Sequence, residues 1–128
     1  MNLPVVSIIT PSFQQAAFLP ECIASVGTQD RSITEHIIVD GGSTDGSVHI
    51  IEQNEKNLKW WCSEKDRGQS HAINKGLEHA SGKVFRWINS DDALLPGALH
   101  IVSEAFAQDP DLLIFGGLRM VRQKAGTG

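Results

Sequence analysis

Two aspartates side by side, Asp91 and Asp92, close the string Asn89-Ser90-Asp91-Asp92. Adjacent carboxylates repel each other, and a bound divalent cation relieves that repulsion. Magnesium and manganese prefer oxygen ligands and are often held by one or two carboxylates together with substrate phosphates. A second string, Asp40-Gly41-Gly42-Ser43-Thr44-Asp45-Gly46-Ser47, has glycines at Walker-like spacing. Ser47 stands where the lysine of a phosphate loop belongs, which argues against one. Without such a loop, a pocket for a diphosphate needs another source of positive charge, and a metal supplies it. Asp40 can accept hydrogen bonds from a base N–H or a sugar hydroxyl. Taken singly, each string is also ordinary turn and N-cap chemistry. Their weight therefore depends on where the surrounding elements put them.

The other chemistry-bearing residues are weaker candidates. The five histidines (His36, His49, His71, His79 and His100) show no H-x-x-x-H or H-E-x-x-H spacing. Ser12, Ser70 and Ser90 lack a G-x-S-x-G setting, which disfavours a hydrolase triad. Trp60 and Trp61 are adjacent in a strand pattern, so they face opposite ways, one toward the core and one half-exposed. Cys22 and Cys62 form no C-x-x-C pair, which excludes a disulfide scaffold or cysteine zinc site and fits a reducing compartment.

The elements that would position these residues alternate along the chain. Apolar, β-branched runs at residues 5–10, 36–40, 58–62, 83–88 and 112–115 read as strands. Helical spacing marks residues 18–26, 47–53, 69–80 and 96–107, with Pro20 and Pro96 tolerable in first turns. This β-α repetition predicts a parallel sheet covered by helices on both faces, with right-handed crossovers. In such sheets ligands bind at the carboxyl ends of the strands. Ser12 and Phe13, Asp40, and Asn89 to Asp92 all follow strands. No glycine follows the first strand, which argues against a Rossmann dinucleotide site and a nucleotidyltransferase-like loop.

Bulk properties agree. The chain has 128 residues, enough for one domain, and 41% hydrophobic residues, enough for a core. Its formal charge is -4, from 11 basic and 15 acidic residues, which argues against a nucleic-acid partner. No apolar run reaches the ~20 residues of a membrane span, and no cationic-then-apolar leader opens the chain.

Five strings in order carry a resemblance. Val6-Ser7-Ile8-Ile9-Thr10-Pro11-Ser12-Phe13 and Ile38-Val39-Asp40-Gly41-Gly42-Ser43-Thr44-Asp45-Gly46-Ser47 come first. Ser63-Glu64-Lys65-Asp66-Arg67-Gly68-Gln69-Ser70, Ala72-Ile73-Asn74-Lys75-Gly76 and Trp87-Ile88-Asn89-Ser90-Asp91-Asp92 follow. Together they resemble family 2 glycosyltransferases over residues 5–99. The resemblance implies an α/β fold of the GT-A (Rossmann-like) type, a mostly parallel sheet with helices on both faces. It implies glycosyl transfer from a nucleotide-sugar donor, a UDP-sugar, to a saccharide or lipid-linked acceptor, with inversion and with Mn2+ or Mg2+. By the same resemblance Pro11, Ser12 and Phe13 line the base pocket, with Phe13 stacked on the base. Asp40 reads the base edge, Asp66 and Arg67 border the nucleotide, Asp91 faces the ribose or donor sugar, and Asp92 holds the metal with Asp91 beside it. Gln14 stands where the family often has asparagine, and Asn89 where the first carboxylate of a D-x-D triplet usually stands.

Inverting transfer also needs a base for the acceptor hydroxyl. The resemblance places it well beyond the metal motif, and Glu104, Asp109 and Asp111 follow the wrong helix for that task. No catalytic base is therefore assigned. Residues 1–122 are expected to be a donor-binding domain incomplete at its C-terminal end, and residues 123–128 a flexible tail. The alternative is a non-catalytic nucleotide-sugar-binding module completed by a partner chain. A fold that stops partway leaves apolar surface uncovered, so a homo-oligomer is expected through residues 112–115 and 118–121. The expected location is the cytoplasm, peripheral to the inner face of the membrane.

Overall fold

The computed structural model describes residues 3–109. Its elements run β1 (Val6–Ser12), α1 (Leu19–Gly27), β2 (Thr34–Asp40), α2 (Ser47–Gln53), β3 (Trp60–Ser63), α3 (Gln69–Leu77), β4 (Val84–Trp87) and α4 (Ala98–Gln108). The four strands form one sheet in the order β3-β2-β1-β4, and all its pairings are parallel. The chain steps outward from β1 to β3, then crosses to the other side of β1 to lay down β4. The direction of winding therefore changes between β1 and β4, and the carboxyl ends of those two strands diverge there. The expected strand at residues 112–115 and the apolar stretch at 118–121 lie outside the described residues.

β1 extends two residues further than its β-branched run suggests and takes in Pro11. The reason is the ladder. Ile9 accepts from Ile88 on the β4 side, and Ser12 accepts from Gly41 on the β2 side. Backbone groups alternate along a strand, so Pro11 faces the β4 side. Pairing with β4 ends at Ile9, and the missing N–H costs no sheet bond there.

Helices cover both faces, as the alternation predicts. On one face Ile8 and Val6 pack with Cys22 and Val26 of α1 and with Leu99 and Val102 of α4. Ile38 joins Leu19, Ile23 and Ile51 from α1 and α2 on the same side. On the other face Ile9, Ile37 and Val39 pack on Ala72 of α3. α3 closes tightly because Gly76 has no side chain: a Cβ there would lie 2.6 Å from Ile9 Cγ2. The two tryptophans do face opposite ways, but both are half-buried. Trp60 stacks on His79 with ring centroids 3.6 Å apart, and Trp61 Nε1 donates to Glu55 at 2.9 Å.

β2 carries two groups that make stability depend on pH. His36 is buried against Thr10, with Nε2 and Oγ1 2.7 Å apart, and burial holds its pKa down to about 3 from 6.5. Burial works to raise the pKa of neighbouring Glu35, but donors from Ser7 and from the backbone and hydroxyl of Ser81 outweigh it and hold the carboxyl below its usual range. Both folded-state values lie below the unfolded ones, so the unfolded chain binds more protons as the pH falls. The stability from His36 is complete above about 6.5 and drains away toward 3, and Glu35 adds its share below about 4.5. Urea midpoints should therefore fall as pH drops below about 6.5, and His36→Gln should flatten the upper part of that decline. A midpoint constant from pH 7 to pH 4.5 would refute this.

Candidate functional site

A cleft of about 570 Å³ opens at the carboxyl end of the sheet. It is where the winding changes direction. One wall is the end of β1: Pro11, Ser12 and Phe13. Phe13 is 59% exposed, a flat apolar surface left facing the opening. Ser12 is 4% exposed, and its buried hydroxyl has no hydrogen-bond partner among the described residues. A buried polar group of that kind is costly unless something pairs with it. The opposite wall is Asn89, Ser90 and Asp91, in the turn after β4. The floor combines Gly41 with Asp66, Gly68 and Gln69 at the start of α3, and Lys65 contributes a cation.

Of the residues singled out from sequence, Pro11, Ser12, Phe13, Asp66 and Asp91 line this cleft. Asp66 lies directly over Gly41, where a Cβ would meet both carboxylate oxygens at 3.2 Å. Its Oδ1 accepts from the Gly68 backbone at 2.9 Å, a turn that leads into α3. Arg67 is exposed and outside the cleft lining; its backbone N–H donates to His71 Nδ1 at 2.9 Å.

Asp40 is also outside the lining, and it is fully buried. One oxygen accepts from the backbone of Gly42 (3.1 Å) and Ser43 (2.8 Å) and from the Ser63 hydroxyl (2.8 Å); the other accepts from Ser43 Oγ at 2.7 Å. The glycine-rich loop thus turns its amides onto its own carboxylate. Gly42 has φ +88°, a backbone conformation that suits glycine. This explains in physical terms why the Walker-like spacing is not a phosphate loop: the amides that would cradle phosphate are already occupied.

Sequence reasoning missed the fastening of that loop to the end of β1. Gln14 has φ +54°. Its backbone donates to Ser43 Oγ, its amide nitrogen to Thr44 Oγ1, and its carbonyl oxygen accepts from the Thr44 backbone, all within 3.1 Å. The left-handed backbone tolerates asparagine better than most residues. Lys65, Gln15 and Gln69 were also missed as cleft residues, since single polar side chains in loops give no periodic signal.

Asp91 and Asp92 lie in a turn in which the Asp92 backbone donates to the Asn89 carbonyl at 3.0 Å. Both carboxylates are close enough to Cys22 to add to the rise of its thiol, which burial chiefly pushes up to about 12. Among the described residues no group of three or more His, Cys, Asp or Glu side chains is arranged to hold a metal. The donor set is two adjacent carboxylates, of which Asp91 lines the cleft and Asp92, next along the turn, lies outside its lining. It suits a hard ion that completes its shell with phosphate and water oxygens, and it does not suit zinc in a closed site. Asn89, in place of a third carboxylate, is committed elsewhere: its Oδ1 accepts from Gln69 Nε2. Glu104 pairs with His100 on α4 at 2.8 Å, and neither it nor Asp109 lines the cleft. Asp111 lies outside the described residues.

The family model for glycosyl transferase family 2 matches residues 7–127. The chain belongs to that family. An uncharacterised glycosyltransferase of Mycobacterium tuberculosis is 40% identical over 92 residues, covering 71% of this chain and 35% of that protein. Among solved structures, the mannosyltransferase PcManGT from Pyrobaculum calidifontis, in complex with GDP-Man and Mn2+, is 27% identical with a TM-score of 0.78, over 88% of this chain and 34% of that one. S. aureus TarS 1-349 in complex with UDP-GlcNAc shares the fold at a TM-score of 0.73 and 23% identity, over 81% of this chain and 31% of that one. The fold is that of the GT-A glycosyltransferases, as the ordered strings imply. The chain spans about a third of the length of the first curated relatives it matches. No helix among the described residues is long and apolar enough to cross a membrane.

Proposed function

We propose that this chain is the donor-binding part of a glycosyltransferase that takes a nucleoside-diphosphate sugar and transfers the sugar, with inversion, to a saccharide or lipid-linked acceptor hydroxyl. The observation that carries the reading is the cleft at the winding switch, where the unpaired buried hydroxyl of Ser12 and the exposed ring of Phe13 face Asp66 and Asp91.

Each residue then has a physical task. Phe13 offers its face to the base, an arrangement that is sequence-tolerant because every base has a π-face. Pro11 and Ser12 shape the pocket, and the Ser12 hydroxyl finds a partner on the nucleoside. Asp66 and Arg67 border the nucleotide. Asp91 accepts from a ribose or sugar hydroxyl. Asp40 serves the base edge by fixing the loop that carries Gly41. Asp92, with Asp91 beside it, would hold Mn2+ or Mg2+. When bound, that ion supplies positive charge to the diphosphate leaving group. Lys65 and the start of α3 add fixed positive charge on the same side. The proposal includes a cytoplasmic location on the inner face of the membrane, which the two free thiols favour, and assembly with a second copy.

The test is calorimetric titration of the whole chain with UDP, GDP and their sugars, in manganese and in chelator. Binding of at least one diphosphate, tighter in manganese, is expected. Equal affinity in both media across all nucleotides would overturn the reading.

A further inference from the structure

The turn that carries Asp91 and Asp92 is gripped from behind. Three polar residues fall at i, i+3 and i+7 along one side of α1 and just past its end: Cys22, Ser25 and Gln29. All three bond to backbone atoms of residues 89–99. Cys22 Sγ donates to the Asn89 carbonyl at 3.7 Å, a sulfur distance. Ser25 Oγ accepts from the Leu94 backbone at 3.0 Å and donates to the Cys22 carbonyl at 2.8 Å. Gln29 Nε2 donates to the Leu95 carbonyl at 2.9 Å, and its Oε1 accepts from the Leu99 backbone at 3.1 Å. Cys22 and Gln29 are themselves buried, and the Gln29–Leu99 bond is shielded from solvent. The arch Ser90–Asp91–Asp92–Ala93 is thus pinned at Asn89 on one side and Leu94 on the other. Ile88 and Leu94 seat its two flanks in the core against Cys22 and Val26.

We propose that the Cys22–Ser25–Gln29 stripe of α1 is a positioning device that fixes the Asp91–Asp92 arch in the geometry for binding metal and diphosphate. The proposal rests on the donor-binding reading above. These three side chains touch neither ligand nor cleft. They act through the arch, and because they bind backbone, no side-chain motif reveals the pairing. Outer partners of metal ligands commonly govern affinity in this way.

Two variants separate positioning from general stability. Ser25→Ala removes the acceptor for the Leu94 N–H. Gln29→Met keeps length and apolar volume but removes the acceptor for the Leu99 N–H. In the ligand-free chain, amide exchange followed by NMR should accelerate about tenfold at Leu94 in the first and at Leu99 in the second, with Ile37 and Ile38 in β2 unchanged. In titrations with UDP, the tightening produced by manganese should shrink about 10–100-fold, while affinity in chelator stays within about twofold of wild type. Ser25→Thr, which keeps the hydroxyl, should restore both readouts. Unchanged exchange at both amides, or faster exchange with an unchanged manganese increment, overturns the proposal. Equal loss of affinity in manganese and chelator assigns the stripe a purely structural role and overturns it as well. If the wild-type chain shows no manganese increment, the donor-binding reading alone falls. Accelerated exchange in the variants then still supports the grip on the arch, and unchanged exchange overturns it.

Discussion

Asp92→Ala is expected to abolish the manganese dependence of nucleotide binding and to leave the affinity measured in chelator nearly intact. Two carboxylates, Asp91 and Asp92, are the acidic pair at the arch, and among the described residues no larger metal-binding group stands by to replace one of them. An ion bound by so few protein ligands relies on each. Loss of even an outer partner commonly costs about 10–100-fold in metal affinity, so loss of a ligand should cost at least that much. Asp92→Asn keeps one neutral oxygen and should fall between wild type and Asp92→Ala. The chelator baseline should survive because Phe13, Ser12 and Asp66 are supplied by β1 and the segment before α3. The measurement is paired calorimetry of UDP and GDP binding in manganese and in chelator. An alanine variant that retains the full manganese increment would remove Asp92 from the metal site.

Asp40→Ala should do something different: weaken the fold first, and binding through it. The carboxylate is fully buried and accepts four hydrogen bonds, from Gly42 N, Ser43 N, Ser43 Oγ and Ser63 Oγ. Alanine leaves those donors facing a void. Leaving a buried donor without its acceptor commonly costs about 1–3 kcal/mol, a large fraction of a small domain's stability. The urea midpoint should fall by the corresponding amount with an unchanged slope. Nucleotide affinity should drop alike in manganese and in chelator, because Gly41 and the Gln14-fastened loop lose their anchor. Asp40→Asn is the informative companion. It preserves shape, but its amide NH2 must face some of the same donors, so it should recover only part of the loss. A variant that keeps wild-type stability and loses only binding would show instead that the carboxylate meets the ligand directly.

The three aspartates thus separate although all lie at strand ends. Asp91 and Asp92 follow β4, beside the switch in winding, and Asp91 lines the open cleft. Asp40 follows β2, one strand inside, where the loop folds back over it. A sequence reading ranks them together, since each is an acid at the end of an apolar run. What divides them is the number of donors that the loop happens to aim at each.

The pattern of the chain by itself determined the element order, the parallel sheet with helices on both faces, and the motifs that face the site. It could do so because these depend on local properties. β-branched apolar runs mark buried strands, 3.6-residue spacing marks α1, α3 and α4, and the polar strings fall where each strand must end. Small errors at the margins have local causes too: β1 continues through Pro11 because its N–H would face a side where pairing has ceased. Tertiary structure alone decided which polar groups remained free to meet a ligand. The glycine-loop amides were consumed by Asp40, the Asn89 side-chain oxygen by Gln69, and the backbone flanking the arch by Cys22, Ser25 and Gln29, while the Ser12 hydroxyl was left unpaired. Those partners lie 2 to 70 positions apart in the chain. A hydrogen bond depends on ångström-scale approach and direction, and only the closed fold sets these for residues so distant in sequence.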